Sequence, residues 1–286
     1  MNMLIRYRPP GPGRLSSRLL VLLTIVQMLW TSGCCLNPSM ADIGPLDEET
    51  PLEHLTVAHR GNIDKGSLPD NSLPALRASI AAGVGFLEVD VRRANDGTLF
   101  LFHDGSFARS NSHAPAHLRG IPVADVSSAD RRAVTLDSSG RIAIPTLADA
   151  LSLIERSEGT LQLDLKGESD ALTLAVLELV SARGLLHRVL LQLRSPERAA
   201  LVLKNYPTAR VLVRCKTFEA LQQALQHRVE VVELERWITS AAVRLAHARG
   251  VLVAVNIAGS RLDEPNTWGY LRSRGVDMIM TDRANQ

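Results

Sequence analysis

The stretch RVLLQLRSPERAALVLKN, Arg188 to Asn205, contains one complete structural unit. Arg188–Arg194 is an apolar run of strand length, bounded by charge. Ser195 then supplies a side-chain oxygen for a helix start, and Pro196 occupies the first helical position, where its missing N–H costs nothing. The apolar residues that follow recur at helical spacing up to Asn205. Working outward, the same strand-then-helix reading returns along the chain. Strands are expected at Leu55–His59, Gly85–Val91, Thr160–Lys166, Ala209–Cys215, Val229–Leu234, Gly250–Asn256 and Val276–Met280. Helical spacing fills Leu172 to Ala182, Phe218 to His227 and Thr239 to Arg249. Thr146 with Asp149 forms a capping-box pattern before Leu147–Glu155. Gly184, Gly250 and Gly275 stand where helices end in a left-handed residue. Near-continuous apolar strands alternating with helices mean a parallel sheet. Eight such units over about 230 residues make an α/β fold of the (β/α)8 barrel type.

Bulk properties narrow the function. The chain has 286 residues, a formal charge of +2, 45% hydrophobic, 22% charged and 4% aromatic residues. The small charge argues against a nucleic-acid partner, which would call for a basic face. Few aromatics leave little surface for stacking bases or sugars.

The first residues differ in kind from the rest. Arg6, Arg8, Arg14 and Arg18 precede an apolar run from Leu19 to Trp30, then Ser32, Gly33 and Cys34. This is the layout of a bacterial export signal, and the run is short for a membrane span. Thr31-Ser32-Gly33-Cys34 resembles a lipoprotein cleavage box, with Thr31 where leucine is preferred. The expectation is an export segment over 1–35, a linker over 36–53 and a barrel domain over 54–286. The mature protein is then periplasmic, or attached to the membrane through a lipidated Cys34. Cys215, in an apolar-flanked run, reads as a small buried hydrophobe.

One connection breaks the alternation. Asn95-Asp96-Gly97-Thr98 lies between the second strand and the apolar run Leu99–Phe102. Asp-Gly between such runs signals a hairpin. A two-residue turn at Asp96-Gly97 would set Asp90 directly opposite His103. Glu88, two residues before Asp90, points to the same face. Two inward carboxylates repel unless something positive lies between them, and hard divalent cations take oxygen ligands. His59-Arg60-Gly61 closes the first strand at the end where barrel enzymes carry their sites. Arg60 offers a planar fork suited to phosphate. In Leu161-Gln162-Leu163-Asp164-Leu165-Lys166, the leucines share one face, and Asp164 and Lys166 share the other. The bland alternatives are a structural histidine, a charged strand face in water, and a surface Asp164–Lys166 pair.

Taken in order, Val57-Ala58-His59-Arg60-Gly61, Pro69-Asp70-Asn71-Ser72, Glu88-Val89-Asp90, His103-Asp104, Ile144-Pro145-Thr146-Leu147, Asp164-Leu165-Lys166 and Gly275-Val276-Asp277 with Thr281-Asp282 resemble the motif series of the glycerophosphodiester phosphodiesterase family. The resemblance implies a barrel of the phospholipase-C-like phosphodiesterase type. It also implies hydrolysis of small glycerophosphodiesters to an alcohol and glycerol 3-phosphate. It assigns His59 as general base and His103 as general acid, and Glu88, Asp90 and Asp164 as ligands of a divalent cation, Ca²⁺ or Mg²⁺. Arg60 and Lys166 fall at the phosphate, with Asp70 and Asn71 supporting the site.

Three positions depart from the pattern. Asp70 and Asp164 stand where the family usually has glutamate, and Val253-Ala254-Val255-Asn256 where it often has Trp-Thr-Val-Asn. Two other readings stand beside this one: a lysophospholipase D-like enzyme on membrane-derived lipids, which a lipid anchor would make convenient, and a barrel that binds a ligand without catalysis, which the shorter carboxylates motivate. The segment Gly105–Ala143, polar and rich in small residues, is expected to cover the barrel mouth and to favour a water-soluble substrate.

Overall fold

The computed structural model describes residues 55–107, 112–167, 169–235 and 237–285. The expected export segment and linker lie outside the described residues. The strands are β1 (Leu55–Ala58), β2 (Phe86–Arg93), β3 (Leu99–Leu101), β4 (Thr160–Leu165), β5 (Val189–Leu193), β6 (Arg210–Cys215), β7 (Val231–Leu234), β8 (Leu252–Asn256) and β9 (Met278–Thr281). The α-helices are α1 (Leu73–Ala81), α2 (Ser128–Arg132), α3 (Leu147–Ile154), α4 (Asp170–Ala182), α5 (Pro196–Asn205), α6 (Phe218–Ala224), α7 (Ser240–His247) and α8 (Pro265–Ser273). All strands but β3 run parallel in the ring β1-β2-β4-β5-β6-β7-β8-β9, which closes on β1. This is the (β/α)8 barrel expected from the alternation.

Local signals set the helix starts. Ser195 accepts from the Arg198 N–H, and Thr146 and Asp149 form a full capping box. Each such cap stabilises its helix by about 1 kcal/mol. Ser169, Thr217 and Thr239 cap α4, α6 and α7 in the same way.

Strand alternation separates two apolar regions. Outward residues such as Leu163, Leu191, Val213 and Val253 pack beneath the helices with Val176, Ala199 and Val243. Inward residues Val57, Leu190, Leu212, Val231 and Met278 form a second cluster inside the ring. Toward the C-terminal strand ends, the same inward rows turn polar, with Asp90, Asp164, Gln192 and Glu233 all buried. The barrel therefore has an apolar floor and a charged mouth. Cys215 is buried, as expected.

The hairpin register differs from the expected one. Val91 pairs with Leu101 and Arg93 with Leu99, so Asp90 lies opposite Phe102 rather than His103. The loop has three residues: the Ala94 N–H reaches the Thr98 carbonyl, and Gly97 has φ +88°. A type I turn closed by a left-handed glycine shifts the pairing by one place. The segment after β3 also differs from the expectation of a merely polar cover. It builds its own core from Phe100, Phe102, Phe107, Leu118, Val134 and Ile144. Its Asp125 carbonyl and Ser128 N–H bond to Asn95 and Asp96 at the hairpin tip.

Candidate active site

β1 ends in a tight turn, His59-Arg60-Gly61. Arg60 has φ +52° and Gly61 φ +74°. A Cβ on Gly61 would lie 2.7 Å from Leu76 Cδ2, so the turn approaches α1 more closely than a side chain allows. Two bonds hold Arg60 in its costly conformation. Its N–H donates to Glu88 Oε2 at 2.8 Å, and its carbonyl accepts from the Asn71 N–H at 2.9 Å. The strain places the guanidinium over the mouth, with Nη1 3.0 Å from Asp70 and Nε 3.6 Å from Asp90.

Glu88, Asp90 and Asp164 meet inside the ring. Each offers one oxygen, and the three lie within 4.8 Å of one another. Asp90 and Asp164 are direct partners on neighbouring strands. Asn71, buried with φ +58°, donates to Asp90 Oδ2 at 2.7 Å and accepts from the Asp90 N–H at 2.9 Å. Lys166 Nζ bridges Asp90 at 2.8 Å and Asp164 at 2.5 Å. Burial pushes the Glu88 carboxyl well above its ordinary range, and the Asp90 and Asp164 charges add to this. Burial also acts on Asp90, but Lys166 and the Asn71 bond outweigh it and hold that carboxyl below its usual value. Lys166 loses from burial and gains more from the two aspartates, so it remains an ammonium. One lysine thus bridges two of the three clustered acids, while burial disfavours charge on the third. Three carboxylates converging on one point form the all-oxygen donor set that a hard divalent cation takes.

The two histidines are each fixed by a carboxylate. His59 Nδ1 is 2.7 Å from Asp282 Oδ1, just past β9. Asp282 Oδ2 also accepts from Lys65 Nζ and from the Gly259 N–H, both at 2.8 Å. Burial would raise the Asp282 carboxyl, yet the bonds from His59 and Lys65 hold it well below the usual range. An ionised carboxylate only accepts, so His59 carries its proton on Nδ1 and leaves Nε2 for chemistry. His103 Nδ1 is likewise 2.7 Å from Asp104 Oδ1. Arg92 fixes the His103 backbone: Nε and Nη2 donate to its carbonyl at 3.2 and 2.5 Å, while Nη1 reaches the Lys166 carbonyl at 3.3 Å.

All nine residues singled out from the sequence lie at the C-terminal mouth. Seven are joined by the contacts above, and His59 adjoins them as the chain neighbour of Arg60. His103 joins them through Arg92 and through its charge on Asp90. Asp70 turns away from the acid cluster, binding Arg60 and the Asn62 amide at 2.7 Å. Its shorter side chain therefore anchors the arginine. Asp164 reaches the cluster despite its lost methylene. Sequence reading did not assign Asp282, Lys65, Asp104 or Arg92. Only Asp282 and Asp104 carried a signal, each lying in a quoted motif.

The model of the glycerophosphoryl diester phosphodiesterase family matches residues 59–286. A glycerophosphodiester phosphodiesterase of Arabidopsis thaliana is 30% identical over 112 residues, covering 39% of this chain and 34% of that protein. The matched segments span between 34% and 62% of the curated relatives' lengths. A solved glycerophosphoryl diester phosphodiesterase from Parabacteroides distasonis superposes with a TM-score of 0.68 at 24% identity, over 83% of this chain and 86% of that one. An Oleispira antarctica phosphodiesterase, solved with its product sn-glycerol-3-phosphate, gives 0.67 at 20% identity, over 81% and 94%. Both structures share the fold. With the family model matched from the first site histidine to the last residue, the chain belongs to the glycerophosphoryl diester phosphodiesterase family.

Proposed function

We propose that the protein hydrolyses glycerophosphodiesters to an alcohol and glycerol 3-phosphate, using a divalent cation and His59 and His103 as an acid–base pair. The observation that carries this reading is the arrangement of two carboxylate-held imidazoles around one buried cluster of three acids. The product seen in the Oleispira antarctica structure supports the substrate class.

A cation held by Glu88, Asp90 and Asp164 would neutralise charge building on the phosphate oxygens. Arg60 offers its guanidinium to the same oxygens, positioned by the turn that Glu88 and Asn71 fix. Lys166 is close enough to add a further positive charge. His59, neutral with its proton on Nδ1, takes the proton of the attacking hydroxyl at Nε2. Asp282 stabilises the imidazolium that results. His103, protonated, gives its proton to the leaving alkoxide. Asp104 and Arg92 keep it in place.

Residues 1–35 are read as an export signal and Cys34 as a lipid attachment point. Labelled palmitate should enter the wild-type chain and not Cys34→Ser; equal labelling would remove the anchor. The reaction is tested by glycerol 3-phosphate release from glycerophosphocholine, with Ca²⁺, Mg²⁺ or EDTA. Release with a metal and none with EDTA is expected. No release by folded protein with any metal would sink the reading.

A further inference from the structure

Asp90 pairs with Asp164, and Asp164 with Gln192, across β2, β4 and β5. Two residues further along each strand, in phase with the inward face, stand Arg92, Lys166 and Arg194. The Lys166 N–H donates to the Val91 carbonyl at 2.9 Å, so the ladder continues to this height. A rung of three cations therefore follows the acid cluster toward the rim. The next strand adds Arg214, but buried Glu233 takes that charge at 2.6 Å.

Arg92 and Lys166 have tasks in the chemistry above, and Arg194 has none. Its side chain is 38% exposed, and its ion pair is long, Nη2 to Asp164 Oδ1 at 3.4 Å. Lys166 already holds the other oxygen of that carboxylate at 2.5 Å. A contact so long and so exposed adds little to the fold. Arg92 donates to carbonyls, and the Arg92 and Arg194 charges oppose each other. Beside Arg194, a cleft of about 50 Å³ is lined by Gly167, Gln192, Ser195 and Arg198. It has room for a few waters or one small polar group. The Gln192 amide on its wall is 2% exposed. It accepts from Gln162 at 2.7 Å, and its own N–H groups have no partner among the described residues.

The rung lies on the His103 side of the mouth. Arg92 reaches from the His103 carbonyl to the Lys166 carbonyl, and Lys166 shares Asp164 with Arg194. His59, tied to Asp282 past β9, flanks the acid cluster from β1 instead. An alcohol that takes its proton from His103 would leave along Arg92, Lys166 and Arg194.

We infer that Arg194 and the Gln192 amide form an anion subsite for the leaving arm, selecting glycerophosphodiesters whose alcohol carries a carboxylate, sulfonate or phosphate. This rests on the reaction and the His103 role proposed above. A guanidinium fork and an amide both donate to such a group, and an anion between Arg92 and Arg194 relieves their repulsion. A quaternary ammonium meets like charge there.

The test uses two glycerophosphodiesters matched in shape and opposite in charge, one releasing choline and one releasing 2-hydroxyethanesulfonate. kcat/KM is measured for both on the full chain with Ca²⁺. The sulfonate substrate should be preferred about tenfold. Arg194→Gln should reduce that preference to within about threefold, through loss on the sulfonate substrate, and Arg194→Glu should reverse it. The change in ratio between variants cancels the difference in leaving-group basicity. No preference for the sulfonate in the wild type, or an unchanged ratio in both variants, would overturn the subsite and leave the reaction standing. Equal losses on both substrates in Arg194→Gln would overturn it as well and place Arg194 at the reacting phosphate. Hydrolysis of neither substrate would remove the reaction and the subsite with it.

Discussion

The two histidines sit at one mouth but are held by unlike means. The His59 side chain is 16% exposed, and that of His103 is 40% exposed. His59 is locked by a carboxylate 223 residues away, which itself accepts from Lys65 and the Gly259 N–H, while the Asp282 backbone N–H donates to Asp263. His103 leans on its chain neighbour Asp104, and its backbone hangs from Arg92. The difference suits the two tasks proposed for them, His59 as base and His103 as acid. A base must present one fixed lone pair to a weak nucleophile. An acid must meet leaving groups of varied shape at an open rim. Preorganisation therefore belongs on the His59 side and tolerance on the His103 side.

The largest effect expected is from His59→Ala, which should lower kcat by about 10³–10⁴-fold whatever the leaving group. A loss that vanished with a good leaving group would exchange the two roles. Asp282→Asn sharpens the contrast, because an amide can stabilise the wrong tautomer. It should lower kcat by about 10²-fold or more with little change in KM, while Asp104→Asn costs about tenfold. Equal losses would erase the asymmetry. Arg92→Gln should reduce kcat by about tenfold and Arg92→Lys by less, since only the fork reaches both the His103 and Lys166 carbonyls. A change confined to Tm would reduce Arg92 to a fold contact. The smallest effect is in acid. Asp282 is held below its ordinary value, so its contribution to stability is present above about pH 4 and is lost as pH falls through the folded value. Asp282→Asn should flatten the fall of Tm below pH 4. An unchanged profile would show that the His59–Asp282 tie adds nothing to the fold.

Much of this molecule was legible beforehand, for reasons that differ by element. Strand 189–193 and helix 196–205 are written locally, in an apolar run, a serine cap and a proline. Glu88, Asp90 and Asp164 could be grouped because strand alternation sends i and i+2 to one face. The hairpin register differs by one place from the expected one, since Asp-Gly serves two-residue and three-residue turns alike; a two-residue type I′ turn needs a positive φ at Asp96, which Asp96 does not have. The Asp282 and Lys65 support of His59 was not legible. It is formed by barrel closure between β1 and β9, which no local periodicity encodes. The Arg214–Glu233 pair is intermediate. Arg210, Leu212 and Arg214 share the inward face of β6, and a charge on a buried face is a readable anomaly.

The most direct test of the acid–base assignment compares His103→Ala on two glycerophosphodiesters, one releasing choline and one releasing 4-nitrophenol. Choline leaves as a strong base and needs a proton, whereas nitrophenolate leaves without one. The account predicts a loss in kcat of at least about 10²-fold on the choline substrate and within about threefold on the nitrophenyl substrate. Equal losses on both would contradict His103 as the general acid.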